Sequence, residues 1–327
     1  MDELSAIPAR TLPVSATAPG KCILFGEHAV VHGAPELAVA IDLTTQVVLT
    51  SSEVPRLNGD AAAAGSHPYL PTALRSLPPP GGSVDVRVVS RIPRSAGLGS
   101  SAAFCASLAV GLGAVRGGVS RAAIAQAAFD IERGSQGVGS PGDTSTSVAG
   151  GYVSLNGGPG AVLWTIRGGE RAWEVRRVSD PGWVWVVAHS GIPRSTADAV
   201  RAVTARLGRA DGPELLRRFE SVARAGIDAV ERGDRDEAAR QMVANQALLR
   251  EVGVSHPRLE ALLEAAAPAA LGAKLTGAGA GGSIVALARP GEETDLVRRL
   301  ARAGGLPFVV RPRAGAELVD APAPNRS

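Results

Sequence analysis

Two domains in close contact, each mixing strands with helices, are predicted by this sequence on three observations. The chain has 327 residues, too many for one ordinary hydrophobic core. Alternating and β-branched runs are interleaved with Ala-rich and Leu-rich runs at helical spacing. A Pro181-Gly182 step separates a first part with most of the strand-like runs from a second with four consecutive helical stretches. The expected domains are therefore 1–181 and 182–327. Apolar residues make up 45% of the chain and aromatics only 3%, so Val, Leu, Ile and Ala must fill the cores.

Residues 14–18 read as a strand ending at Pro19-Gly20, and 37–51 as a pair of strands, LAVAID and TTQVVLTS. Residues 53–82, rich in Pro, Gly and Ala, read as a loop with room for a short helix. Val84 to Ser90 alternates with period two and reads as a strand. The Ala-rich run 102–115 predicts a helix, with the serines before it as N-caps. A second helix fits 120–133, capped by Ser120. Residues 151–155 and 161–166 suggest a hairpin around Asn156 to Gly160.

In the second part, Trp183 to His189 reads as a strand, followed by helices near 195–208, 213–232, 235–252 and 257–266. Leu215, Leu216, Phe219, Val222, Ile227 and Val230 give the second of these an apolar face. A strand at 272–276, a glycine loop at 277–282, a strand at 283–288, a helix at 291–303 and a strand at 306–311 complete the pattern. The last seven residues, APAPNRS, read as a frayed tail.

Charge and cysteine usage exclude several classes of function. The formal net charge is +3, and arginines alternate with acids without a like-charge run. Neither a nucleic-acid groove nor a polybasic membrane patch is built that way. No stretch reaches the roughly 18 uninterrupted apolar residues of a membrane span, and Met1 to Lys21 lacks a signal-peptide pattern. Cys22 and Cys105 form neither a CxxC pair nor a disulfide framework. A cytoplasmic protein is expected. The chain has 32 arginines but only two lysines, Lys21 and Lys274, both in glycine-containing segments. An ammonium is a compact point charge, which a guanidinium is not, so Lys21 reads as a specific requirement.

Four segments carry candidate chemistry. In Ile92-Pro-Arg-Ser-Ala-Gly-Leu-Gly-Ser-Ser-Ala-Ala-Phe104, glycines precede a helix start. Glycines let backbone approach a ligand, and the helix offers unpaired N–H groups and a positive dipole end, which together suit a phosphate chain. No Walker A sequence is present. The segment Ala18-Pro-Gly-Lys-Cys-Ile-Leu-Phe-Gly-Glu-His-Ala-Val-Val-His-Gly33 concentrates Lys21, Glu27, His28 and His32 near a strand end, as a polar pocket or a charged surface loop would. In Ile131-Glu-Arg-Gly-Ser-Gln-Gly-Val-Gly-Ser-Pro-Gly-Asp-Thr-Ser-Thr-Ser147, Glu132 closes one helix and Asp143 opens the next element. Carboxylates suit Mg2+ and proton transfer. An aspartate before Thr-Ser-Thr-Ser equally suits a helix N-cap, and the residues alone leave both readings open. Lys274-Leu-Thr-Gly-Ala-Gly-Ala-Gly-Gly282 matches GxGxxG but leads into the strand-like SIVALA, with no acid about 20 residues on, so a dinucleotide fold is rejected.

In order and spacing, these segments resemble the GHMP kinase superfamily from about residue 16 to 288. Within it, GKCILFGEHAVVHG and Ile192-Pro-Arg-Ser-Thr196 look like the mevalonate kinase branch. The resemblance implies an α+β fold of two domains, the first S5-like and the second ferredoxin-like, with the active site in the cleft between them. It implies ATP and Mg2+ as cofactors, mevalonate as the small-molecule substrate, and no nucleic-acid or membrane partner, in a family where a homodimer is common. It assigns the ATP phosphates to Pro93, Arg94, Ser95, Ala96, Gly97, Leu98, Gly99, Ser100, Ser101, Ala102 and Ala103. Ser101 and Glu132 would ligate the metal. Asp143 would be the base, with Lys21 beside it. Glu27, His28 and Thr196 would shape the substrate pocket over a floor that includes Gly277 and Ala278. Ala280 departs from the family, which has a further glycine there. Homoserine and sugar kinases of the superfamily, or a silent ligand sensor of the same fold, are the alternatives.

Overall fold

The computed structural model describes residues 6–61, 68–137, 139–193 and 196–320. The expected frayed tail lies outside the described residues, as do Arg194 and Ser195 of the Ile192–Thr196 segment and the side chain of Thr196.

A nine-stranded sheet dominates the first part. Its spine is Val14–Phe25 paired antiparallel with Glu36–Ser52. The first strand does not stop at Pro19-Gly20, as expected, but passes through them with a shift of register between the two residues. The expected pair of strands over 37–51 is likewise one strand of 17 residues. Its two ends have different surroundings. The first six residues are buried, and from Asp42 onward exposed or part-buried positions interrupt the buried ones. That change of pattern imitated a break in the sequence.

Ser83–Ser90 pairs along one edge of the long strand, and Tyr152–Leu155 beside its first residues. The expected hairpin between 151–155 and 161–166 does not form. A strand unread in the sequence, Arg171–Val178, lies between Tyr152–Leu155 and Val162–Gly168 and pairs with both. Residues 53–61 contribute the two-residue strands Arg56–Leu57 and Asp60–Ala61 to the sheet, and a helix follows at Leu70–Ser76.

Helices Ser100–Arg116 and Gly142–Ala149 pack on the spine of this sheet, and Arg121–Gln136 packs on both of them. Ser120 caps the last of these, accepting from the Ala123 N–H as expected. For Ser100–Arg116 the cap differs. Gly99 holds that position in a left-handed conformation, and both serines are already helical.

The chain leaves the first sheet after Val178 and enters a four-stranded antiparallel sheet at Trp185–His189. That strand lies between Ser283–Ala288 and Leu306–Val310, and Ala270–Thr276 forms an edge. Helices Arg235–Glu251, Pro257–Ala266 and Glu293–Arg302 pack on the sheet. Gly212–Glu231 packs on Arg235–Glu251 and also reaches Val14–Phe25 of the first sheet. The end of the chain then returns, with Glu317–Val319 pairing with Val14–Phe25. Among the described residues no helix is long and apolar enough to cross a membrane.

Candidate active site

Val14–Phe25 is buried throughout, and Lys21 is buried within it at 1% exposure. An ammonium withdrawn from water needs compensating partners. Lys21 Nζ lies 2.8 Å from Asp143 Oδ1 and donates to the Gly97 carbonyl at 3.4 Å. Its backbone N–H donates to the Leu98 carbonyl at 2.9 Å. One residue therefore ties the strand to the loop at 97–99 and to the start of helix Gly142–Ala149. Gly99 makes this approach possible, because a β-carbon there would stand 2.9 Å from Lys21 Cγ.

The loop itself alternates in handedness. Ser95, Gly97 and Gly99 have φ of 56°, 82° and 75°. Such alternation turns successive N–H groups toward one concave side, and the helix that follows adds its positive dipole end. Of the eleven residues assigned to phosphate binding, Gly99 and Ser101 line the main cavity. Arg94 and Ser95 are solvent-exposed, while Ala96, Leu98, Ala102 and Ala103 are buried. Relieved of capping, Ser101 donates from Oγ to Glu132 Oε1 at 2.6 Å.

Asp143 lies in the first turn of Gly142–Ala149, but Pro141 holds the N-cap position. The capping alternative for Asp143 is thereby set aside. Its carboxylate is 35% exposed and faces the cavity, and its partner Lys21 lines the same cavity at only 1% exposure.

The turn after Val14–Phe25 supplies the second ion pair. Glu27 and Lys274 are paired at 1% and 0% exposure, and Lys274 Nζ also donates to the Leu275 carbonyl at 2.7 Å. Burial pushes the Glu27 carboxyl up and the Lys274 ammonium down, and each partner's charge opposes the other's shift. Lys274 was singled out in the sequence without a role; it is the counter-ion of Glu27. His28 has φ of 62°, and its Nε2 lies 3.0 Å from the Ala278 carbonyl. Thr276 Oγ1 accepts from the Ile23 N–H at 2.8 Å and donates to the Ile23 carbonyl at 3.0 Å. Ser283 Oγ donates to the Ala96 carbonyl at 2.7 Å. These bonds join residues 270–283 to the strand, the turn and the loop of the first part.

A cavity of about 520 Å3 results. Lys21, Glu27, His28, Glu132, Asp143, Gly277 and Ala278 line it, together with Gly99 and Ser101. Sequence reasoning missed Glu36, which also lines it at 2% exposure. The only signal was an acid opening an otherwise apolar run. Burial raises its carboxyl to about 8, with Asp143 adding to the rise and Lys21 opposing it. Phe129, Arg133, Ser135 and Ser140 complete a wall that sequence patterns did not reveal. Ala280 lies outside the lining at φ of 57°, its N–H donating to the Val254 carbonyl at 2.6 Å. Both cysteines are buried free thiols, and burial pushes the Cys22 thiol up to about 12 and the Cys105 thiol well up.

The family model for the GHMP kinases N terminal domain matches residues 69–151, and that for the GHMP kinases C terminal matches 227–305. A mevalonate kinase from Aeropyrum pernix is 36% identical over 304 residues, which span 85% of this chain and 89% of the relative. The chain belongs to the GHMP kinase family. A second relative, a mevalonate kinase from Methanothermobacter thermautotrophicus, is 34% identical over 303 residues, 88% of this chain and 94% of its own. Among solved structures, L. major mevalonate kinase in complex with R-mevalonate superposes with a TM-score of 0.76 at 22% identity, covering 95% of this chain and 100% of that one. The GHMP kinase fold in two α+β parts, expected from the sequence, is therefore the fold of this chain.

The Glu27–Lys274 pair generates a stability prediction. Lys274→Met leaves a carboxylate buried without its counter-ion and is expected to cost about 3–5 kcal/mol in urea denaturation. Adding Glu27→Gln should recover at least half of that loss. A single variant as stable as the wild type would show that the pair is not what holds these segments together.

Proposed function

We propose that this GHMP kinase transfers the γ-phosphoryl group of ATP to the 5-hydroxyl of mevalonate, giving 5-phosphomevalonate. One observation carries the chemistry: the 2.8 Å pair of Lys21 and Asp143 at the wall of a cavity that also holds a helix N-terminus and the Ser101–Glu132 pair. The choice of alcohol rests on the relatives at 34% and 36% identity, which are named mevalonate kinases, and on a mevalonate-bound structure of the same fold. In this reading the domains meet near Pro181-Gly182, and Glu317–Val319 adds back to the first sheet.

Asp143 accepts the proton of the reacting hydroxyl. A carboxylate is a weak base toward an alcohol, so removing the proton before attack is unfavourable. In a loose transition state the nucleophile gains little bond order early, and the proton can leave late. Asp143 then needs position more than basicity, and Lys21 holds its Oδ1. The same ammonium stabilises negative charge developing on the attacking oxygen. The loop at 93–99 and the start of Ser100–Arg116 cradle the phosphates through backbone N–H groups. Glu27, His28, Gly277 and Ala278 bound the alcohol's side of the cavity.

Magnesium fits the donor set here. Ser101 Oγ and Glu132 Oε1 are hard oxygens 2.6 Å apart at the helix start, and Mg2+ takes few protein ligands when phosphate oxygens complete its shell. Ser101 and Glu132 would hold the ion, whose charge would offset that of the phosphates. Among the described residues, no three His, Cys, Asp or Glu gather into an all-protein metal site.

Two outcomes test this reading. An ADP-release assay with Mg-ATP should show turnover on mevalonate and not on phosphomevalonate, homoserine or galactose, with Asp143→Ala losing at least about 10^2-fold in kcat. Turnover on another alcohol would replace the substrate, and near-normal turnover of Asp143→Ala would remove Asp143 as the base. Lys21→Arg should lose at least about 10-fold in kcat, because a guanidinium fork does not fit a sealed site built for a point charge. A fully active Lys21→Arg enzyme would contradict that role.

A further inference from the structure

Glu36 has no part in the chemistry above, yet its surroundings are specialised. It opens the strand Glu36–Ser52, paired with Leu155, and its side chain runs into the cavity wall beside Asp143. Its Oε1 is buried and finds no hydrogen-bond partner among the described residues. The space its carboxyl fills exists only because residue 142 is glycine. A β-carbon at Gly142 would stand 1.7 Å from Glu36 Oε1. With Oε1 packed against Gly142, it is the other oxygen, Oε2, that the carboxyl can present to the cavity, and a buried carboxyl this poorly hydrogen-bonded costs free energy unless something bonds to it.

Charge balance indicates which form of the group is present. The charges of Asp143, Lys21 and Glu27 act on it, while His28, Glu132 and Arg133 also line the cavity and Lys274 pairs with Glu27. Lys21 is matched by Asp143, and Lys274 by Glu27. Glu36 is then the acid without a cation of its own among these pairs, and ionising it would add a charge repelled by Asp143 and Glu27. Its neutral form avoids that repulsion and has an O–H to donate.

We propose that Glu36 binds the alcohol substrate directly, its carboxyl donating a hydrogen bond to a substrate oxygen other than the reacting hydroxyl. The inference deepens the proposed function and rests on it for the place of the alcohol in the cavity. The group it recognises is an oxygen acceptor, a second hydroxyl or a carboxylate, of the kind a hydroxy acid carries. The upward displacement of its titration to about 8 agrees with a donor at neutral pH. Above that value the donor is lost and a repelling charge takes its place, so affinity for the alcohol falls.

The test is steady-state kinetics of Glu36→Ala and Glu36→Gln with Mg-ATP, on whichever alcohol the wild-type enzyme turns over, from pH 6 to 9.5. Glu36→Ala should raise KM for the alcohol at least 10-fold, with kcat within about 3-fold and KM for ATP unchanged. Glu36→Gln, which keeps a donor, should stay within about 3-fold of wild type at pH 7. It should also lack the loss of kcat/KM for the alcohol above pH 8 that the wild type shows. An unchanged KM for the alcohol in Glu36→Ala overturns the proposal. So does a rise in both KM values together, the mark of a loosened fold, or an alkaline limb that persists in Glu36→Gln. If the wild type uses homoserine or galactose instead of mevalonate, the functional reading fails while the Glu36 comparison stands or falls separately on that alcohol.

Discussion

A buried ammonium organises this molecule. Lys21 sits inside a fully buried strand at 1% exposure, where an unpaired charge would cost several kcal/mol. Its neighbours answer that cost. The Gly97 carbonyl and the Asp143 carboxylate converge on its Nζ, and its backbone N–H takes the Leu98 carbonyl. These contacts fix two elements distant in sequence, the loop at 97–99 and the start of helix Gly142–Ala149. The loop at 97–99 cannot move off the strand without exposing Lys21, and Asp143 cannot leave without stranding it. Removing solvent from the lysine thus sets the distance between the loop at 97–99 and Asp143, which in the proposed reaction are the phosphate cradle and the base.

The second ion pair performs the same service across the two sheets. Glu27 belongs to the turn after Val14–Phe25, and Lys274 to the edge strand of the four-stranded sheet. Thr276 bonds both backbone groups of Ile23, and Ser283 holds the loop through Ala96. Polar groups with fixed geometry, rather than an apolar seam alone, therefore align the two parts. Apolar contact tolerates sliding; buried hydrogen bonds do not, because each misplaced partner leaves an unmet group. A cavity formed at this junction inherits that alignment.

Much of this was legible in the residues. The scarcity of lysine marked Lys21 before any contact was known, because a chain with 32 arginines uses an ammonium only where a point charge is wanted. The helices of the second part were readable from apolar spacing, and the interval from Glu132 to Asp143 from its glycines. Other features depended on partners that sequence does not list. The strand Arg171–Val178 carries three arginines and a glutamate and reads as polar, yet its pairing on both sides makes it a central strand. Glu36 stood at the head of an apolar run, and only the bare backbone of Gly142, far away in sequence, makes room for it. Ser100 and Ser101 looked like caps because they precede an Ala-rich run, but the helix begins at Ser100, two residues before that run, and Glu132 claims Ser101.

The central claim is that Lys21 and Asp143 act as one unit. A double-mutant cycle on kcat/KM with Lys21→Met and Asp143→Asn tests it most directly, since residues that work together lose their effect together. The account predicts that the double variant falls no more than about 3-fold below the worse single variant. Losses that multiply across the two substitutions would contradict it, and would mean that the 2.8 Å pair is a structural contact between two independent contributors.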